Sequence, residues 1–247
     1  MRKLALTISL SASAFLLHAG DTPAERLQDA NSVFSEIMAT PDKGIPQDLL
    51  EKAHCVVIVP GLKQAGFIVG AKYGRGFAVC RRPTNHGWVA PEAVRIEGGS
   101  FGFQIGASST DVVMLIMNER GMRRLTEDKF TLGAEASVAA GPVGRQTSAL
   151  TDAQLSAEIL SWSRSKGLFA GIALTGATLR PDHDVNQELY GRKVDPKEIL
   201  NGDVAAPPAA RPLLAALGKY SWREEKDKPI ETRAKDKVDS DADRKKK

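Results

Sequence analysis

The sequence predicts an α+β fold, mainly antiparallel β, in a single glycine-rich domain of sandwich or barrel-like form with N-terminal helices and a short C-terminal helix. Three observations carry this. Between residues 55 and 179, short β-branched and aromatic runs recur between Gly, Pro, Asn and Asp turns, which is a strand-and-turn composition. Helical periodicity is confined mainly to residues 23–39 and to the far end of the chain. Glycines recur at every fourth position, at Gly66, Gly70 and Gly74, at Gly98, Gly102 and Gly106, and at Gly167 and Gly171. In a strand, residues four apart share a face, so such spacing leaves a bare lane for coiling, a packed neighbour or a ligand.

The ends of the 247-residue chain bound the domain. Residues 1–20, MRKLALTISLSASAFLLHAG, combine a basic start, an apolar run and a small-residue junction, as in a secretory signal peptide. The apolar run falls short of the roughly 18 to 20 residues a spanning helix needs. An exported protein, periplasmic or envelope-associated after cleavage, is therefore expected. Residues 21–221 form the domain. Residues 222–247 are almost wholly charged with both signs mixed, and disorder is expected there.

Thr22-Pro23-Ala24-Glu25 sets a hydroxyl cap three residues before a glutamate, with proline at the first helical position. Leu27, Ala30, Phe34, Ile37 and Met38 then share one face, which predicts a helix over 23–39. Its polar face holds more acid than base, favouring packing on the domain's own core over membrane insertion. A short helix in IPQDLLEKA follows. Strands are predicted at 55–59, closed by Pro60-Gly61, and at 67–69, 76–81, 87–89, 100–107, 112–117, 130–138, 157–163 and 168–179. Residues 112–117 are apolar on both faces and belong in the middle of the fold. Asn118 caps a short helix through Leu125, residues 163–167 make a hairpin turn, and a last helix spans 211–220.

Chemistry is sparse. The formal charge of +4 is too dilute for a nucleic-acid stripe, so no nucleic acid is expected as a partner. His54, His86 and His183 stand at no metal-ligand spacing, and Asp182-His183-Asp184 reads as a helix start with favourable acidic charge. No nucleophile elbow, phosphate loop or dinucleotide fingerprint occurs. Neither a catalytic residue, a metal nor a cofactor is expected. Cys55 and Cys80 both lie in apolar strand-like runs, either as a bridge that export would permit or as two small buried hydrophobes. The candidate binding residues are basic and fall near predicted strand ends: Lys63, Lys72, Arg75, Arg81, Arg82, Arg145, Arg164 and Lys166. Gathered at one end of the fold they would form a cationic rim for lipid headgroups, each basic residue contributing about 1 kcal/mol at an anionic bilayer.

Four segments, VVIVPGLKQAGFIVGAKYGRG, GGSFGFQIGASSTDVVMLIMN, KFTLGAEASVAAGPVGR and AEILSWSRSKGLFAGIALTGATLRPDHDVNQELYG, resemble in that order the SYLF domain family. The resemblance covers about residues 27–220. It implies one glycine-rich, mainly β domain with helices, and lipid binding as its activity, but no catalytic residue. Yeast relatives bind actin, which is not expected as a partner of an exported protein. Relatives often carry a small residue at the position of Cys55, which leaves a bridge to Cys80 open for this branch. Two functional expectations result. One is a non-enzymatic module binding anionic phospholipid headgroups in the bacterial envelope. The other is an envelope interaction protein whose glycine lanes receive a protein partner.

Overall fold

A computed structural model describes residues 21–40, 44–82, 87–142, 151–165, 168–171 and 174–221. Helix α1 (Pro23–Ala39) begins as the cap predicts: the Glu25 amide donates to the Thr22 hydroxyl at 3.2 Å, and the Thr22 amide donates to the Glu25 carboxylate at 2.8 Å. It buries Leu27, Val33, Phe34 and Ile37. Each such side chain contributes roughly 1.5–3 kcal/mol when removed from water. Helix α2 (Gln47–Lys52) leads into two unusually long strands, β1 (Cys55–Cys80) and β2 (Glu92–Ile116), which pair antiparallel along almost their whole length.

The strands predicted separately within 55–81 are therefore one, as are those within 100–117. Pro60-Gly61 does not end the first. The register slips by one residue between Val59 and Leu62, and Gly61 takes φ +57°, a conformation glycine accepts without a Cβ penalty. The turn chemistry is thus absorbed as a bulge inside a continuous ladder. Helix α3 (Glu119–Arg124) follows, with the Asn118 side chain accepting from the Gly121 amide as its cap.

Predicted strand 130–138 is instead β3 (Phe130–Thr131) and β4 (Val138–Ala140), split by a turn in which the Gly133 amide donates to the Ala136 carbonyl. Short helix α4 (Asp152–Ser156) precedes β5 (Ile159–Ser165). Strand 168–179 likewise divides into β6 (Leu168–Gly171) and β7 (Thr178–Pro181). The seven described strands make one curled sheet, a half-barrel: β2 pairs β1, β5 and β7, β3 pairs β7, β5 also pairs β6, and among these described strand pairs only β4 against β5 is parallel. Helices α5 (His183–Tyr190), α6 (Pro196–Asn201) and α7 (Arg211–Tyr220) complete the fold after β7.

The sheet is buried on both faces where its strands are fully apolar. Val56, Ile58, Phe77, Val113 and Leu115 pack under α1, α2 and α7. Their alternate neighbours, Cys55, Val57, Val59, Val112, Met114 and Ile116, fill the inside of the curl with Phe130, Leu132 and Leu179. Period-two alternation sorts one unbroken run into two cores.

Curling brings the two ends of β1 together. The Arg81 amide donates to the His54 carbonyl at 2.9 Å, and Cys55 is disulfide-bonded to Cys80, so the bridge left open by the sequence is formed. A Cβ built on Gly76 would lie 2.0 Å from the Ile58 carbonyl oxygen and 2.7 Å from Val59 Cα. Only glycine allows that crossing. On β2, a Cβ on Gly98 would lie 3.1 Å from Ala177 Cα, so this part of the glycine lane is covered by the chain's own backbone.

Candidate functional site

The eight basic candidates separate by what holds them. Arg81 is only 6% exposed. Its guanidinium donates to the carbonyls of Leu50 (3.0 Å), Ala53 (2.9 Å) and Ser221 (3.2 Å) and stacks 4.4 Å from the Trp88 ring. It therefore serves the carbonyl-rich C-terminal end of α2, where a cation is favoured by the helix dipole. Arg164 is bound to Asp111, with Nη2 2.6 Å from Oδ2, and to Glu36 of α1. Asp111 also accepts from the Gly61 amide at 2.9 Å, so this cluster ties the β1 bulge to β5 and α1.

Arg75 Nε lies 2.9 Å from Asp182 Oδ2, at an angle that makes the contact an ion pair rather than a hydrogen bond. Asp182 is fully buried and also accepts from the Val185 amide as the cap of α5. The acidic triplet around His183 is therefore a helix start joined to β1, with no group of three or more metal-ligating side chains among the described residues. Arg145 and Lys166 lie outside the described residues.

Lys63, Lys72 and Arg82 remain. None has an ion pair or side-chain hydrogen bond among the described residues; Lys63 and Arg82 are exposed and Lys72 is half-buried. Lys63 and Lys72 stand on the same strand, opposite Ser109 and Gly98 of β2, on the two arms of the long ribbon. Tyr73 beside them is 42% exposed, with the Arg75 guanidinium 5.9 Å from its ring. The acids of the same arms are occupied: Glu97 accepts from Arg180 at 2.9 Å, and Asp111 is held as described. The arms of the ribbon thus offer ammonium groups free of ion pairs and no free solvent-facing carboxylate among the described residues.

One buried ionisable group escaped the sequence reading. Glu92, at the start of β2, is fully buried, and neither carboxylate oxygen has a hydrogen-bond partner among the described residues. Desolvation, reinforced by the negative charge of Asp195, pushes its carboxyl well above the usual carboxylate range. Nearby Tyr190 donates its hydroxyl to the Pro91 carbonyl, and burial together with Glu92 pushes its phenol up. In VAPEAV a glutamate between apolar residues reads as a solvent-facing strand position. Its burial comes with Tyr190 of α5 and Asp195, the cap of α6, close enough for their charges to couple to it.

No described helix is long and apolar enough to cross a membrane. The geometry defines a class: a helix-backed, curled antiparallel sheet, closed on itself by a disulfide and carrying a cationic two-stranded ribbon. The chain belongs to the Ysc84 family, described as "Las17-binding protein actin regulator", whose pattern matches residues 97–220. It is 36% identical over 179 residues to Protein YSC84 of Saccharomyces cerevisiae, covering 71% of this chain and 38% of that one. It is 35% identical over 187 residues to the SH3 domain-containing YSC84-like protein 1 of Xenopus laevis, covering 75% and 55%. The human protein of that name is 34% identical over 195 residues, covering 78% and 56%. The chain thus spans about 38% to 56% of the length of these relatives.

Proposed function

We propose that this chain is a non-enzymatic module that binds anionic phospholipid headgroups at the bacterial cell envelope. The observation that carries the reading is a pair of lysines, Lys63 and Lys72, with no ion pair among the described residues, on a ribbon whose neighbouring acids Glu97 and Asp111 are already bound. Ammonium groups free of ion pairs keep their full attraction for phosphate, about 1 kcal/mol each near an anionic surface. Arg82 adds a third cation with no ion pair among the described residues. Export after removal of residues 1–20 is part of the reading, and the Cys55–Cys80 disulfide supports it, since such bonds persist in oxidising compartments. Phospholipid, and neither actin nor nucleic acid, is the partner proposed.

The names of the relatives favour a second reading, an interaction protein of the envelope with a protein partner. Vesicle flotation separates the two. The protein is expected to float with phosphatidylcholine vesicles containing phosphatidylglycerol and not with phosphatidylcholine alone, and to be released as added salt shortens the screening length. The Lys63→Glu/Lys72→Glu variant is expected to lose flotation while melting like the parent. Binding indifferent to lipid charge and salt would sink the lipid reading.

A further inference from the structure

The contacts that close β1 on itself run in step. His54 meets Arg81, Cys55 meets Cys80, Ile58 meets Gly76, and Val59 and Leu62 meet Gly74. The midpoint of this progression falls between Phe67 and Ile68. There the ladder is again irregular, passing from Gly66↔Gly106 to Ile68↔Gly102, so that β2 carries the extra residues. Such a bulge bends a ribbon and increases its twist. The β1–β2 ribbon is folded double, and its apex is residues 64–71 against 99–108.

The rest of the sheet stops short of that apex. Strand β7 pairs β2 only at 94–97, and β5 pairs it only at 111–116. Among the described residues the apex is a bare two-stranded ribbon, a structure marginal in water by itself. Its arms stand in solvent: Lys63, Ala65, Ala71 and Tyr73 are exposed on β1, as are Gly99, Ala107, Ser108 and Ser109 on β2. Exposed strand edges in soluble proteins are usually guarded by charge. Here QAGFIVGA faces GSFGFQIGAS with no charged residue in either. The sequence positions of the apex include Phe67, Ile68, Val69, Phe101, Phe103 and Ile105.

Charge returns immediately below. Lys63 and Lys72 flank the midpoint at equal distance along β1, with Tyr73 beside Lys72. An uncharged, aromatic-rich tip above a collar of lysine and tyrosine matches the layering of a bilayer surface, where aromatic rings and cations sit at headgroup level. A second copy of the chain would meet the same lysines, and like charges facing each other oppose pairing.

We infer that the folded apex of the β1–β2 ribbon is the element that enters an anionic bilayer, its apolar tip lying in the interface and Lys63 and Lys72 holding phosphates. This rests on the lipid reading above and deepens it. Strand rise sets the reach: from either lysine to the midpoint is about 15 Å of ribbon, half the roughly 30 Å hydrocarbon core, so the tip stays in one leaflet. The open edges of a two-stranded ribbon need water or headgroup partners, which holds insertion to the shallow boundary layer.

The test uses the full chain with its disulfide intact and vesicles of phosphatidylcholine with phosphatidylglycerol. Tryptophan fluorescence of Ile68→Trp, taken over the parent's own, is expected to be quenched by lipids labelled near the headgroup more than by lipids labelled deep in the chain. Ile68→Asp is expected to weaken vesicle binding about tenfold or more, as loss of a buried aliphatic side chain implies, while Leu155→Asp, at an exposed position of α4, leaves it unchanged. Parent binding without quenching of the introduced tryptophan and without loss in Ile68→Asp overturns the insertion and leaves the lipid reading intact. A parent that does not bind these vesicles overturns both. A parent that is a dimer in the absence of lipid, made monomeric by Ile68→Asp, assigns the apex to self-association and overturns the insertion. If Ile68→Asp melts below the parent, the quenching of Ile68→Trp decides.

Discussion

A methyl group on Gly76 tests the closure of the fold directly. Its Cβ would sit 2.0 Å from the Ile58 carbonyl oxygen, 2.8 Å from the Ile58 carbonyl carbon and 2.7 Å from Val59 Cα. All three are backbone atoms, so no rotamer change relieves the clash. The strands would have to part by about 1 Å where β1 is pinned by the Cys55–Cys80 bond and by its ladder to β2, which places Gly76→Ala at or beyond the upper end of the roughly 1–3 kcal/mol typical of overpacking. At about 3 kcal/mol, and roughly 2–4 °C per kcal/mol for a domain of this size, the melting temperature should fall by about 6–12 °C. Gly218→Ala is the internal control. It sits in α7 with nothing within 4 Å of its Cβ, and should gain close to 1 kcal/mol, or about 2–4 °C, from helix propensity. Both substitutions stiffen the unfolded chain alike, so their difference isolates the crossing. Thermal melts followed by far-ultraviolet circular dichroism at pH 7 suffice. A Gly76→Ala protein melting within about 2 °C of the parent, less than about 1 kcal/mol, would refute self-closure of β1.

Two further outcomes follow from the core. The Cys55→Ala/Cys80→Ala protein should lose about 3.5 kcal/mol, the chain-entropy value for a loop of this span, and reduction of the parent should reproduce most of that loss in urea titrations. A loss below about 1 kcal/mol would mean that packing alone closes the curl. Glu92 should make stability fall with rising pH, because the unfolded glutamate ionises above about pH 4.3 while the buried carboxyl keeps its proton. Its contribution is complete below that pH, declines as pH rises toward the raised folded value, and levels off beyond it. Glu92→Gln should therefore be more stable than the parent at pH 8 and gain little at pH 4; an equal difference at both pH values would remove the ionisation argument.

Much of the fold was legible locally. Helix α1 was readable to the residue because its cap and its first-turn proline act over a single turn, and α7 and the Asn118 cap of α3 for the same reason. Strand boundaries were less so. Pro60-Gly61 was read as an end and is a bulge, and residues 130–138 alternate in sequence but turn at Gly133. A bulge and a turn use the same residues, and the choice between them depends on whether a partner strand continues alongside. The candidate site divides similarly: Lys63 and Arg81 are alike as basic residues near predicted strand ends, yet one is exposed and the other stacked on Trp88 beneath Ser221, far along the chain.

Sequence by itself determined the α+β class, the two-faced apolar strands, the glycine spacing and the family resemblance, because composition, period and caps are properties of neighbouring residues. Tertiary structure decided that Gly76 is spared a Cβ so that β1 can cross its own start, that Cys55 reaches Cys80, that Glu92 is sealed from water, and which lysines keep their charge free. Each of these depends on the path of a ribbon that curls until segments distant in sequence touch. No local pattern specifies that path, since it is set by how two cores on opposite faces of one sheet are filled at once.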